Sequence, residues 1–184
     1  MPTPDRPPSS IQLRELRAGD IGWVISRHGA LYAQEYGWDM RFEALVARIA
    51  AGYVEQLEPA MENAWIAEVD GRAVGCVFVV QARDDSTGLA LAGVAQLRML
   101  LVEPHARGLG LGKRMTSTCE QFAQAAGYTR MRLWTNSLLL AARGIYQAGG
   151  YQLMASEAHH SFGHALVGEV WEKALPTQPP PSVA

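Results

Sequence analysis

The chain has 184 residues, 48% of them hydrophobic and 18% charged, with a formal net charge of −2. That is one domain's length with room for a substantial core, and the composition is globular rather than disordered. The slightly acidic balance excludes a general electrostatic drive toward nucleic acid or anionic lipid.

Residues 1–10 and 176–184 are rich in Pro, Ser and Thr and are expected to be disordered tails around a single domain at 11–175. The N-terminus lacks the apolar core of a signal peptide, and no apolar run approaches membrane-spanning length. The expected location is therefore the cytoplasm, with no membrane partner. Cys76 and Cys119 read as buried thiols without metal-ligand spacing, so no metal is expected.

Residues 11–17 alternate and predict a strand. Asp20 is expected to cap a helix carrying Ile21, Val24, Ile25, His28, Leu31 and Tyr32, ended by Gly37. A second helix is predicted from about 40 to 57, with Phe42, Leu45, Val46 and Ile49 on one face. Two apolar runs at 64–69 and 73–80 flank Asp70-Gly71-Arg72 and predict a hairpin. A loop at 84–88 follows, with Arg83, Asp84 and Asp85 at its tip, and then a buried strand at 97–104 closed by Pro104.

Next comes Arg107-Gly108-Leu109-Gly110-Leu111-Gly112-Lys113, and after it Leu111, Met115, Cys119, Phe122 and Ala126 recur at helical spacing. Glycines at a strand-to-helix turn leave backbone N–H groups uncovered, and the helix N-terminus adds partial positive charge. This is an anion cradle suited to phosphate or pyrophosphate. A Walker loop fails on Arg107 and Arg114, and the dinucleotide fingerprint fails on Lys113. A glycine-rich turn with no ligand would give the same short motif.

A strand at 130–135 leads to Asn136-Ser137, expected to cap a helix at 138–148 that stops at Gly149-Gly150. Strands at 151–158 and 165–174 follow, joined through residues 159–164. The order β-α-α-β-β-β-α-β-α-β-β predicts an α+β fold with a mixed, mainly antiparallel sheet.

Arg-x-x-Gly-x-Gly at Arg107, Gly110 and Gly112 resembles the acetyl-coenzyme A pyrophosphate loop of the GCN5-related N-acetyltransferases, the GNAT family. Leu133-Trp134-Thr135-Asn136, Ala141-Ala142, Tyr146 and Gly149-Gly150-Tyr151 resemble that family's second cofactor block. Residues 26–39 are similar to the acetyltransferase half of bacterial regulators fused to a MarR-type domain. The DNA-binding half is expected to be absent here, and no nucleic-acid role is carried over.

The resemblance implies a GNAT fold of seven strands and about four helices, with acetyl-CoA as cofactor. It implies transfer of acetyl by direct attack of a primary amine, on a small metabolite or amino acid, on the thioester. Protein or peptide acetylation and a non-catalytic acyl-CoA-binding module are the alternatives. Residues 107–113 would hold the pyrophosphate, and the backbone of Leu100, Leu101 and Val102 the pantetheine arm. The N–H of Leu101 or Val102 would polarise the thioester carbonyl. Asn136 would lie beside the arm, and Tyr146 would protonate the sulfur.

Many family members carry a glutamate on the strand before the cradle, where this chain has Gln96, Arg98 and Met99. The substitutes for a base are Glu35, His160 with its neighbour His159, or water relayed through backbone carbonyls. Tyr32, Tyr36 and Trp38 are candidates for an aromatic wall around the acceptor. Arg41, Arg48 and Arg143 read as solvated helix charges, and the apolar final strands allow a homodimer.

Overall fold

The computed structural model describes residues 10–84 and 86–176. Apart from Ser10 and Pro176, the expected tails lie outside the described residues, as does Asp85 in the predicted loop. The elements are β1 Ile11–Glu15, α1 Asp20–Tyr36, α2 Met40–Gln56, β2 Asn63–Val69, β3 Arg72–Arg83, β4 Ala90–Val102, α3 Leu111–Ala125, β5 Arg130–Asn136, α4 Leu140–Ala148, β6 Gln152–Ser161 and β7 His164–Ala174. This is the predicted order, in the expected α+β arrangement. A single 3-10 turn, Pro104–Ala106, stands between β4 and the glycine loop.

The seven strands form one sheet in the order β1-β2-β3-β4-β5-β7-β6, and only β4 and β5 run parallel. Alternation along each strand sends side chains to opposite faces. Val77, Val79, Leu97, Met131, Leu133 and Trp171 pack under α3 and α4 against Leu111, Met115 and Cys119. Ile66, Cys76, Phe78 and Leu101 face the other way, against Val24 and Leu31 of α1. Each fully buried side chain of this size contributes roughly 1.5–3 kcal/mol of transfer free energy. Both cysteines are buried free thiols. Among the described residues no helix is long and apolar enough to cross a membrane.

Several local expectations change. Asp20 is the first helical residue rather than the cap, a position held by Gly19 in the left-handed region. Its carboxylate instead accepts from the Arg17 amide and from the Arg14 guanidinium. Asp39 caps α2, accepting from the Arg41 amide. Strand β4 starts seven residues earlier than its apolar run suggested, because the alternating stretch from Ala90 completes the pairing with β3. The expected loop at 159–164 is strand as far as Ser161, and the turn is only Phe162-Gly163, both at positive φ. Asn136 does not cap α4, whose N-cap is Leu139. Arg143 is only part-exposed: it pairs with Glu169 at 3.0 Å and lies over the Trp171 ring.

Two features of β4 position the site. Val94 to Leu97 pair with Arg130 to Leu133, and beyond that register the two strands pair no further. Just there, Cys76 opposes Leu101 while Phe78 opposes Arg98, so Val77 faces two residues, Met99 and Leu100. Met99 sits at φ +58, a conformation costing on the order of 1 kcal/mol or more for a side-chain-bearing residue. The bulge bends β4 away from β5 and leaves the edge facing β5 without a strand partner.

Candidate active site

The gap between β4 and β5 continues into a cleft of about 480 Å³ beneath the glycine loop. Leu100, Leu101 and Val102 form one side, residues 106–108 and 110–113 the base, and Ala141, Ala142 and Ile145 of α4 the other side. Gly108 and Gly110 sit at φ +85 and +74, and a Cβ on either would stand in open space. Their backbone is therefore uncovered as well as left-handed. The α3 ladder begins with the Arg114 amide on the Gly110 carbonyl, so the N–H groups of Leu111, Gly112 and Lys113 precede it. Lys113 is exposed beside them. The arrangement fits a pyrophosphate: amides ahead of the helix ladder, a helix N-terminus and an exposed cation around an open hollow.

Arg107 is more constrained than its motif suggested. Its guanidinium donates to Glu35 at 2.7 Å and, through Nε, to the Val102 carbonyl at 3.3 Å. It thereby ties α1 to the free edge of β4 across the mouth of the cleft. Glu35 consequently lines this cleft and not the adjoining chamber, contrary to the expectation that it borders the acceptor.

That chamber, about 340 Å³, lies between α1, α2 and the open face of the sheet. It meets the cleft at Tyr32, Leu100, Leu139 and Ala142, which line both. One wall is aromatic. Tyr32 has ring centroids 5.0 Å from Trp38 and 4.5 Å from Phe42. Trp38 is also core, packed on Phe162 and Leu166, while Tyr36 turns to the cleft.

Tyr146 lines the chamber next to the junction and is buried, which pushes its phenol well above the usual range. Asn136, at the end of β5, is also buried and lines the chamber. Its Oδ1 lies 3.0 Å from His159 Nε2, and His159 Nδ1 lies 2.9 Å from the Ser161 hydroxyl. An amide oxygen only accepts, so Nε2 carries the proton and Nδ1 accepts from Ser161. His160, the next residue on β6, is exposed and lines neither cavity. The structure thus places Tyr146 and Asn136 on the chamber and the glycine loop on the adjoining cleft, and leaves His160 outside both.

His28 was legible only as an apolar-face position. It is buried at the chamber, with Nδ1 2.8 Å from the Val24 carbonyl and its ring stacked on Tyr32. Burial pulls its pKa down to about 4, so the ring is neutral near pH 7, with Nδ1–H donating and Nε2 unprotonated. Arg83, Arg98 and Arg132 also line the chamber, which places Arg83 in the cavity wall rather than at a loop tip.

A family model described as the Acetyltransferase (GNAT) family matches residues 29–151. N-acetyltransferase family 8 member 3 of Rattus norvegicus is 36% identical over 88 residues, covering 48% of this chain and 37% of that relative. The chain thus spans little more than a third of that relative's length. In three dimensions, yncA of Salmonella typhimurium, solved with its cofactor acetyl-CoA, aligns with a TM-score of 0.71 at 17% identity, covering 95% of this chain and 99% of that one. An N-acetyltransferase of Staphylococcus aureus Mu50 aligns with a TM-score of 0.74 at 16% identity, covering 91% and 100%.

Proposed function

Since the chain belongs to the GNAT acetyltransferase family and uses acetyl-CoA, we propose that it acetylates the primary amine of a small molecule held in the chamber. One observation carries this reading: the cofactor cleft, opened by the bulge at Met99, joins a separate small-molecule-sized chamber at Tyr32 and Leu100. Acetyl-CoA supplies an acetyl group activated as a thioester.

The residues divide the remaining work. The amides at 111–113 and Lys113 bind the phosphates, with Arg107 fixed beside them by Glu35. The Asn136 carboxamide, its oxygen held by His159, orients its N–H₂ toward the pantetheine arm. A backbone N–H on the free edge of β4, that of Val102, donates to the thioester carbonyl as negative charge develops there. The amine forms the new C–N bond as the C–S bond breaks, and Tyr146 hydrogen-bonds the departing sulfur. The raised phenol pKa keeps Tyr146 protonated, so it acts as a donor to the thiolate without full proton transfer.

For the amine's own proton we assign water rather than a side chain. Among the described residues no carboxylate lines the chamber, His160 points away, and a His28 pKa of about 4 makes it a weak base. The test is acetyl-CoA titration by calorimetry, followed by a panel of amines with free thiol as the readout. Amine-dependent thiol release is expected, with kcat/KM rising with pH as each amine deprotonates. Binding without release on any amine would reject catalysis in favour of an acyl-CoA-binding module.

A further inference from the structure

His28 lies in the chamber wall and is only 3% exposed. Its Nδ1–H donates to the Val24 carbonyl one turn back on α1, which turns the opposite edge of the ring, with Nε2, away from the helix. Nε2 is unprotonated and carries a lone pair. Among the described residues it has no hydrogen-bond donor, yet it is not sealed from solvent, and the space it opens onto is the chamber. A buried ring with an unmatched acceptor costs free energy that a leucine or phenylalanine at the same place would not. The ring is also held in place. It stacks on Tyr32, one turn further along α1, with 12° between the planes and 6.0 Å between the centroids. Phe42 of α2 stands 6.4 Å away. Tyr32 lines both cavities, so His28 lies one stacking distance from their junction.

We propose that His28 is a substrate-binding residue: its Nε2 accepts a hydrogen bond from the nitrogen of a primary amine with an apolar body while that nitrogen attacks the thioester. This rests on the acetyltransferase reading above and adds a residue to its acceptor site. A primary amine carries two N–H groups besides the lone pair that attacks. One N–H donates to Nε2, which turns the lone pair away from the imidazole. As the C–N bond forms and the C–S bond breaks, the nitrogen gains positive charge. Its hydrogen bond to the neutral ring becomes charge-assisted and strengthens, so the contact favours the transition state over the bound amine. Water takes the second proton. The first stays on nitrogen as the amide N–H of the product, so His28 directs the amine without deprotonating it. Tyr32, Trp38 and Phe42 give the apolar body a wall to pack on. A secondary amine has a single N–H, which water must take, and it forgoes the bond to His28.

Thiol release from acetyl-CoA tests this with amines that differ by one N–H: phenethylamine against N-methylphenethylamine, and isopentylamine against N-methylisopentylamine. Wild type is expected to favour the primary member at least about tenfold in kcat/KM. His28→Phe keeps a buried ring and removes the acceptor. It should lower kcat/KM at least about tenfold for the primary amines and about twofold or less for the N-methyl amines, so most of the preference disappears. A preference due to the bulk of the methyl group would survive the substitution. His28→Gln, whose Oε1 reaches the place of Nε2, should recover part of the preference. His28→Asn, whose amide stops at the place of Nδ1, should not. If His28→Phe fails to fold by circular dichroism, the contrast between Gln and Asn decides. Coenzyme A affinity should be unchanged in every variant, because His28 does not line the cofactor cleft. Equal kcat/KM within the pairs, a preference that persists in folded His28→Phe, equal preferences in His28→Gln and His28→Asn, or release by none of these four amines overturns the inference, while the acetyltransferase reading still stands on the wider amine panel. No release by any amine of that panel removes that reading, and this inference with it.

Discussion

His159 Nε2 lies 3.0 Å from Asn136 Oδ1, so a histidine on β6 fixes a carboxamide that lines the chamber. His159 is thus a positioning residue, and its neighbour His160 faces away from the site. His159→Ala should raise the KM for acetyl-CoA about three- to tenfold with a smaller change in kcat, because one charge-neutral hydrogen bond contributes about 1 kcal/mol. His159→Gln should restore part of the loss. His160→Ala should leave both constants within about twofold, since exposed substitutions away from a site change little. Steady-state kinetics separate the two, and a large kcat loss in His160→Ala would reinstate it as the base.

Tyr146→Phe removes the donor to the departing sulfur and keeps the buried ring. We expect kcat to fall about a hundredfold, with acetyl-CoA affinity nearly unchanged. Pre-steady-state thiol release and cofactor titration measure the two separately. An unchanged kcat would assign Tyr146 to packing alone, against Tyr151 at 5.8 Å.

Glu35→Gln distinguishes an ion-pair partner from a base. Its carboxylate is held 2.7 Å from Arg107 at the cofactor cleft, so kcat should stay within about threefold of wild type. The neutral amide competes less for Arg107, so acetyl-CoA should bind slightly more tightly at low salt, an effect that fades as salt rises. A kcat loss of a hundredfold or more would make Glu35 the base.

His28 gives a pH signature in stability. Unfolded, it titrates near 6.5; folded, burial holds it near 4. Between those values the unfolded chain binds the extra proton, so its contribution is complete above about pH 6.5 and is lost as pH falls toward 4. At pH 4.5 the loss should be about 2 kcal/mol relative to neutral pH. Thermal unfolding should show a steeper acid decline in wild type than in His28→Leu. Parallel declines would mean that His28 titrates normally in the folded state.

The element order and the glycine loop were legible because hydrophobic period and turn chemistry are local. Leu111, Met115 and Cys119 announce α3, and Asp70-Gly71 announces the hairpin. The errors share a different cause, since each depends on register or on residues far apart in the chain. Which of His159 and His160 reaches Asn136 follows from pairing His159 with Leu166, and a slip of one residue would exchange them. A signal for the tight turn was present in Phe162-Gly163, whose glycine suits a left-handed position. The Glu35–Arg107 bridge spans 72 positions, and the bulge at Met99 exists only against Val77 of β3. The arginine-lined chamber was hidden likewise, because Arg83, Arg98 and Arg132 come from three strands.

The most direct test of the account is acetyl-CoA binding by calorimetry in wild type and in Gly110→Asp. Aspartate tolerates the left-handed conformation at φ +74 better than most residues, so the fold should persist while a negative charge enters the phosphate hollow. The account predicts clear binding by wild type and none by a folded Gly110→Asp. Equal binding by both would contradict it, and so would no binding by either.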